Sequence, residues 1–165
     1  VFRYGAAHDD DLNALIHLLK GEPWVPPPDL GALADGAAEG PLVGGNLTVL
    51  AHMAGTLPPD FAAGAILFLE DVGEQPYRLD RCLTQLRRAG ILKQARGFVL
   101  GQFTNCGPGP DGVTVEEVMR RNLSPLRVPV ITGYPAAHGV RNYPFVHGGR
   151  VALGAEGSKG HIAQR

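Results

Sequence analysis

"ILFLEDVGEQPYRLDR", residues 66–81, decides how the chain is read. Ile66 to Leu69 form a short apolar run, and the strand they predict covers Ala65 to Leu69. The run ends on Glu70 and Asp71, with Glu74 three residues later. A buried strand that ends on carboxylates needs partners for them, because an unpaired buried charge is costly. A helix is then predicted from Tyr77 to Ala89, with Leu79, Cys82, Leu83 and Leu86 on one face. Arg78, Arg81, Gln85 and Arg88 face elsewhere, and Gly90 ends the helix. A buried strand feeding an amphipathic helix is the unit of an α/β fold.

The same grammar extends in both directions. Upstream, "PLVGGNLTVLAHMAGT" predicts a strand, a Gly-Gly turn and a helix from Leu47 capped by Asn46. A glycine turn at a helix N-terminus either cradles an anion or serves only as a tight turn. Further upstream, residues 8–21 predict a helix capped by Asp9 or Asp10 and ended by Gly21, with Leu12, Leu15, Ile16 and Leu19 on its apolar face. Residues 22–40 are rich in Pro, Gly and Ala and read as a linker or extended arm, pinned by Trp24, the only tryptophan. Downstream come a strand at 97–103 and a loop at 105–112. A helix through Asn122 follows, opened by a Thr114–Glu117 capping box, and then a strand at 128–134. "VRNYPFVHGGRVALG" reads as a hairpin turning at Gly148-Gly149, followed by a polar end. The expected class is α/β with a mixed sheet.

Composition narrows the function. The 165 residues are 44% hydrophobic and 19% charged with a net charge of −1, which is ordinary for a globular domain. Nothing in that balance points to nucleic acid or an anionic membrane. No apolar run approaches the ~20 residues of a membrane span. Two cysteines, Cys82 and Cys106, cannot build a disulfide framework, which fits a reducing compartment. The chain begins at Val1 and reads as the C-terminal part of something longer.

Two predicted strands lead into ionisable residues: "ILFL" into Glu70, and "VPVITGYPAA" into His138. In α/β sheets, ligands collect beyond the carboxyl ends of the strands. A carboxylate on one imidazole nitrogen fixes the tautomer and leaves the other as a general base. Pairing of Glu70 with Arg78 or Arg81, and a satisfied loop histidine, are the plain alternatives. Glu70, Cys106, His138 and His147 could ligate zinc in principle, but no HxxxH, HExxH or CxxC spacing supports it. A nucleophile is missing. Ser124 and Ser158 are the only serines, and neither lies on a GxSxG elbow.

Taken together, "GPLVGGNLTVLAHMAGT", "ILFLEDVGEQPYRLDRCLTQLRRAGIL", "GFVLGQF" and "VPVITGYPAAHG" resemble the C-terminal domain of the LD-carboxypeptidase (muramoyltetrapeptide carboxypeptidase) family, over about residues 41–150. The resemblance implies a swivelling β/β/α-type domain with a mixed sheet, the C-terminal half of a two-domain serine peptidase. Residues 1–40 would be a connecting helix and arm, and 41–165 the domain itself. The triad glutamate falls on Glu70 and the histidine on His138, and Asn46 is a candidate substrate-binding residue. Asp71 and Glu74 would be structural, pairing with Arg78 or Arg81. The serine and oxyanion hole would lie in an N-terminal flavodoxin-like domain. The implied substrate is a murein tetrapeptide, cut before its terminal D-alanine during cytoplasmic peptidoglycan recycling. No cofactor or metal is implied, and a homodimer is expected. A microcin-type self-immunity peptidase of the same fold, or a non-catalytic binding or assembly module, are the alternatives.

Overall fold

The computed structural model describes residues 9–165. Its order is α1 (Asp9–Leu19), β1 (Leu30–Ala34), β2 (Gly36–Asn46), α2 (Leu47–His52), β3 (Ile66–Val72), α3 (Pro76–Arg88), β4 (Gly97–Thr104), α4 (Val115–Leu123), β5 (Val130–Thr132), β6 (Arg150–Glu156) and β7 (Lys159–Gln164). The strands close into a barrel in the order β1-β5-β4-β3-β2-β6-β7, with β7 pairing back to β1. Strands β2, β3, β4 and β5 are parallel neighbours, joined through α2, α3 and α4. Parallel neighbours need such crossovers. β6, β7 and β1 close the sheet with antiparallel pairs, so the sheet is mixed.

Alternation along β3 divides the interior into two cores. Leu67 and Leu69 face the helices, where they meet Leu47 and Leu50 of α2, Leu79, Leu83 and Leu86 of α3, and Val118, Met119 and Leu123 of α4. Ile66 and Phe68 face the barrel lumen, with Leu42, Val99, Ile131, Tyr134, Val151, Leu153 and Ile162. Each fully buried leucine contributes about 1.5–3 kcal/mol by leaving water. Phe68, Tyr134 and Phe145 pack edge-on or tilted in the lumen, with ring centroids 4.9–5.8 Å apart. Trp24 seals the same core and donates from Nε1 to the Pro144 carbonyl at 3.0 Å.

Several expectations are corrected. Residues 30–40, read within an arm, form β1 and the first half of β2. Their glycines mark close approach, not flexibility: a Cβ at Gly40 would collide with the Gly64 carbonyl. The hairpin expected at 140–154 is displaced. Residues 140–149 contain no strand, because Tyr143 and Phe145 turn into the lumen core; the hairpin is β6–β7, turning at Gly157 and Ser158. The polar end is β7, a strand with Ile162 as its one buried residue. α1 does not bury the stripe expected of it. Leu12, Ile16 and Leu19 are exposed, and the inward face is Asp11, Ala14 and Leu18. Asp9 and Asp10 lie inside its first turn, and the expected start at residue 8 lies outside the described residues. Among the described residues, no helix is long and apolar enough to cross a membrane.

Candidate active site

The parallel strands bring their carboxyl ends to one edge. There Asn46 at the end of β2 is in register with Glu70 of β3. β3 runs past the expected Leu69 to Val72, so both acids lie on the strand itself. Alternation sends Glu70 to the lumen side with Ile66 and Phe68, and Asp71 to the helix side with Leu67 and Leu69.

On the lumen side, Glu70 Oε2 lies 2.9 Å from His138 Nδ1, across 68 positions of sequence. The Glu70 side chain is 7% exposed and the imidazole 49% exposed. A carboxylate accepts only, so Nδ1 carries the proton and donates. Nε2 has no hydrogen-bond partner among the described residues. With the imidazole neutral, such a pair can orient the ring and leave Nε2 able to accept a proton.

His138 is delivered by a loop docked on an irregularity in β4. Between Leu100 and Phe103, β4 holds one residue more than the matching stretch of β3, Leu69 to Asp71. The Gln102 N–H, freed from the ladder, donates to the Ala136 carbonyl at 3.1 Å. Gly101 sits beneath this contact: a Cβ there would lie 2.6 Å from the Ala136 oxygen and 2.6 Å from Phe68 Cζ. Sequence alone showed "GQF" as part of a strand and gave no sign of the irregularity.

On the helix side, Asp71 has a different set of partners. Oδ2 accepts from the Thr48 N–H at 3.0 Å and the Thr48 hydroxyl at 2.7 Å. Oδ1 accepts from Asn46 Nδ2 at 2.9 Å and from the Val72 N–H at 2.9 Å. The pairing expected with Arg78 or Arg81 is not what Asp71 makes; the α2 N-terminus takes the carboxylate instead. Glu74 does approach Arg78, at 3.4 Å. Asn46 caps α2 as expected, its Oδ1 accepting from the Val49 N–H at 3.0 Å. Both ends of its amide therefore hold one partner each. Gly44, in the same turn, has φ +124°, and a Cβ there would collide with the Phe68 carbonyl.

The other candidates lie apart. His147 Nε2 accepts from the Gly44 N–H at 3.3 Å, and Cys106 Sγ lies 3.5 Å from the Thr104 carbonyl. Among the described residues, no three of His, Cys, Asp and Glu converge as a metal would require. Burial pushes the Cys82 and Cys106 thiols up, so neither is an activated nucleophile. Ser124 ends α4, and Ser158 lies in the β6–β7 turn with its carbonyl on the Ala32 N–H at 3.1 Å. Neither serine is a partner of His138.

Comparison with known proteins places the chain in a family. The LD-carboxypeptidase C-terminal domain matches residues 39–153. The murein tetrapeptide carboxypeptidase of Pseudomonas aeruginosa is 41% identical over 116 residues, 70% of this chain and 38% of that protein. The structure of muramoyltetrapeptide carboxypeptidase from Oxalobacter formigenes superposes with a TM-score of 0.73 at 36% identity, covering 92% of this chain and 53% of that one. The microcin C7 self-immunity protein MccF of Escherichia coli is 26% identical over 104 residues, 62% of this chain and 30% of its own length. Its wild-type apo structure gives a TM-score of 0.69 at 21% identity, covering 83% of this chain and 41% of that one, a likeness of fold alone. The chain thus spans well under two thirds of these relatives. By the extent of the family match and by the shared fold, it belongs to the LD-carboxypeptidase family, as that family's C-terminal domain.

Proposed function

We propose that this chain is the Glu/His-bearing domain of a serine-type LD-carboxypeptidase, and that Glu70 and His138 are two members of its catalytic triad. The observation that carries the reading is the 2.9 Å contact between Glu70 Oε2 and His138 Nδ1. The third member, a serine, would come from an N-terminal domain of the same, longer protein, together with the oxyanion hole. The substrate would be a murein tetrapeptide and the setting cytoplasmic peptidoglycan recycling, with the enzyme a homodimer.

In this mechanism the serine hydroxyl attacks the carbonyl of the L-centre residue while His138 Nε2 takes its proton. Glu70 holds Nδ1–H and stabilises the imidazolium as it forms. The C–N bond then breaks, and His138 returns the proton to the leaving D-alanine nitrogen. Water, deprotonated by the same Nε2, opens the acyl-enzyme. No metal or cofactor takes part. Asn46 is proposed to touch substrate, since one N–H and one oxygen lone pair of its amide remain after the internal bonds.

A second reading keeps the same dyad for a microcin-type self-immunity peptidase, and the likeness to MccF supports it. A domain without catalysis would have no use for an oriented imidazole. The test is D-alanine release from a murein tetrapeptide by the longer protein, alongside an aminoacyl nucleotide substrate. The reading expects D-alanine release by the longer protein, and none by the 165-residue chain, which holds no plausible nucleophile. Release by this chain alone, or cleavage of only the nucleotide substrate by the longer protein, would overturn it.

A further inference from the structure

The loop that carries His138 runs from Pro135 to Tyr143. Its ends are joined by the Tyr143 N–H, which donates to the Pro135 carbonyl at 2.7 Å. The flank before His138 is tied to β4: the Tyr134 N–H donates to the Leu100 carbonyl, and the Gln102 N–H to the Ala136 carbonyl, both at 3.1 Å. The flank after His138, from Gly139 to Asn142, makes no main-chain hydrogen bond to a strand, and only Gly139 lies against β4, at the Gln102 side chain. α1 and the segment after it hold this flank instead.

Asp11 does most of this. Arg141 Nε donates to its Oδ1 at 2.9 Å and to its Oδ2 at 3.2 Å, and Nη2 donates to Oδ1 at 2.7 Å. The Asn142 N–H donates to Oδ2 at 2.7 Å. One residue further, the Tyr143 hydroxyl donates to the Val25 carbonyl at 2.9 Å. Asp11 is 6% exposed and shares the inward face of α1 with Ala14 and Leu18. A forked guanidinium–carboxylate pair fixes direction as well as distance. The Asn142 bond fixes the main chain itself, four residues from His138. Burying a carboxylate costs free energy that its hydrogen bonds only offset, so a buried pair of this kind is weak evidence of a gain in stability.

We propose that Asp11 and Arg141 are positioning residues for His138. They anchor the flank of its loop after His138 to α1, so that Nδ1 stays on Glu70 and Nε2 stays available to substrate and nucleophile. The proposal rests on the reading of His138 as the general base. Arg141 acts through the loop, its Nε and Nη2 committed to Asp11.

The test has two parts. In the 165-residue chain, the ring nitrogen chemical shifts of His138, read through its carbon-bound protons with the imidazole neutral, report which nitrogen carries the proton. Wild type is expected to hold the Nδ1–H tautomer, and Glu70→Gln to lose it; that arm tests the dyad alone. Asp11→Asn, which keeps the shape of the side chain, and Arg141→Ala are expected to give mixed tautomers, and Arg141→Lys a partial recovery. In the longer protein, the same two disruptive variants are expected to lower kcat by about 10–100-fold with KM within about twofold, the signature of misplacement and not of lost binding. If Glu70→Gln changes the tautomer while Asp11→Asn and Arg141→Ala do not, the proposal is overturned and the dyad stands. If Glu70→Gln changes nothing, the dyad reading fails and the proposal falls with it. A raised KM at unchanged kcat, or lost stability with kcat per folded molecule unchanged, also overturns it.

Discussion

Glu70 and Asp71 are consecutive on one strand, both nearly buried, and their surroundings are opposite in kind. Asp71 accepts four hydrogen bonds, all from residues within 25 positions, and three of them pin the β2–α2 turn to β3. Glu70 reaches 68 positions to a half-exposed imidazole whose other nitrogen has no partner among the described residues. A carboxylate whose partners are all used up locally is a fastening. One whose partner keeps a second polar atom without a partner can act through it on something else. The pleat alone separates the two: one residue of offset moves a side chain to the other face of the sheet.

The contrast is broken most severely at Glu70. In the longer protein, Glu70→Gln is expected to lower kcat by about 10⁴-fold, as loss of the orienting acid does in a serine triad, while thermal unfolding of the chain barely moves. A loss under about tenfold would make Glu70 a second fastening. Asp71→Ala should do the reverse. It strands the Thr48 N–H and hydroxyl, Asn46 Nδ2 and the Val72 N–H, and is expected to cost about 2–4 kcal/mol in denaturant unfolding, a fall in Tm of roughly 5–15 °C. Activity per folded molecule should stay within a few-fold.

Two smaller changes sharpen the comparison. Gly101→Ala drives a methyl against the Ala136 carbonyl and Phe68, both parts of the platform under His138. It is expected to cost about 1–3 kcal/mol by overpacking and to lower kcat as well, since the loop must shift. Gly139→Ala meets only the movable end of Gln102, and its effect on both measures should be smaller. Thr114→Ala removes the capping box of α4, far in sequence from either acid, and is expected to cost about 0.5–2 kcal/mol with kcat unchanged.

The parts legible in the sequence were those whose signal is local. β3, α3 and β4 followed from short apolar runs and helical spacing, and the Asn46 and Thr114 caps from their positions before helices. The Glu70–His138 contact was anticipated because both residues follow predicted buried strands and because the motifs around them resemble a known family. β1 and the start of β2 were missed because "LGALADGAAEG" looks like a flexible tract, whereas its small residues allow main chains to approach closely. β7 was missed because one inward isoleucine does not make an alternating pattern. The Asp11–Arg141 pair spans 130 positions and uses a face of α1 beside its most apolar stripe, so no periodicity announced it.

The central claim is that His138, held by Glu70, waits for a nucleophile this chain does not contain. The measurement that tests it most directly is the surroundings of His138 Nε2 in a crystal structure of the longer protein. The account predicts a serine Oγ from the preceding domain at about 2.6–3.2 Å from Nε2, with Nδ1 still on Glu70. An Nε2 with no hydroxyl or thiol within reach, or a Glu70 turned away from His138 to another partner, would contradict it.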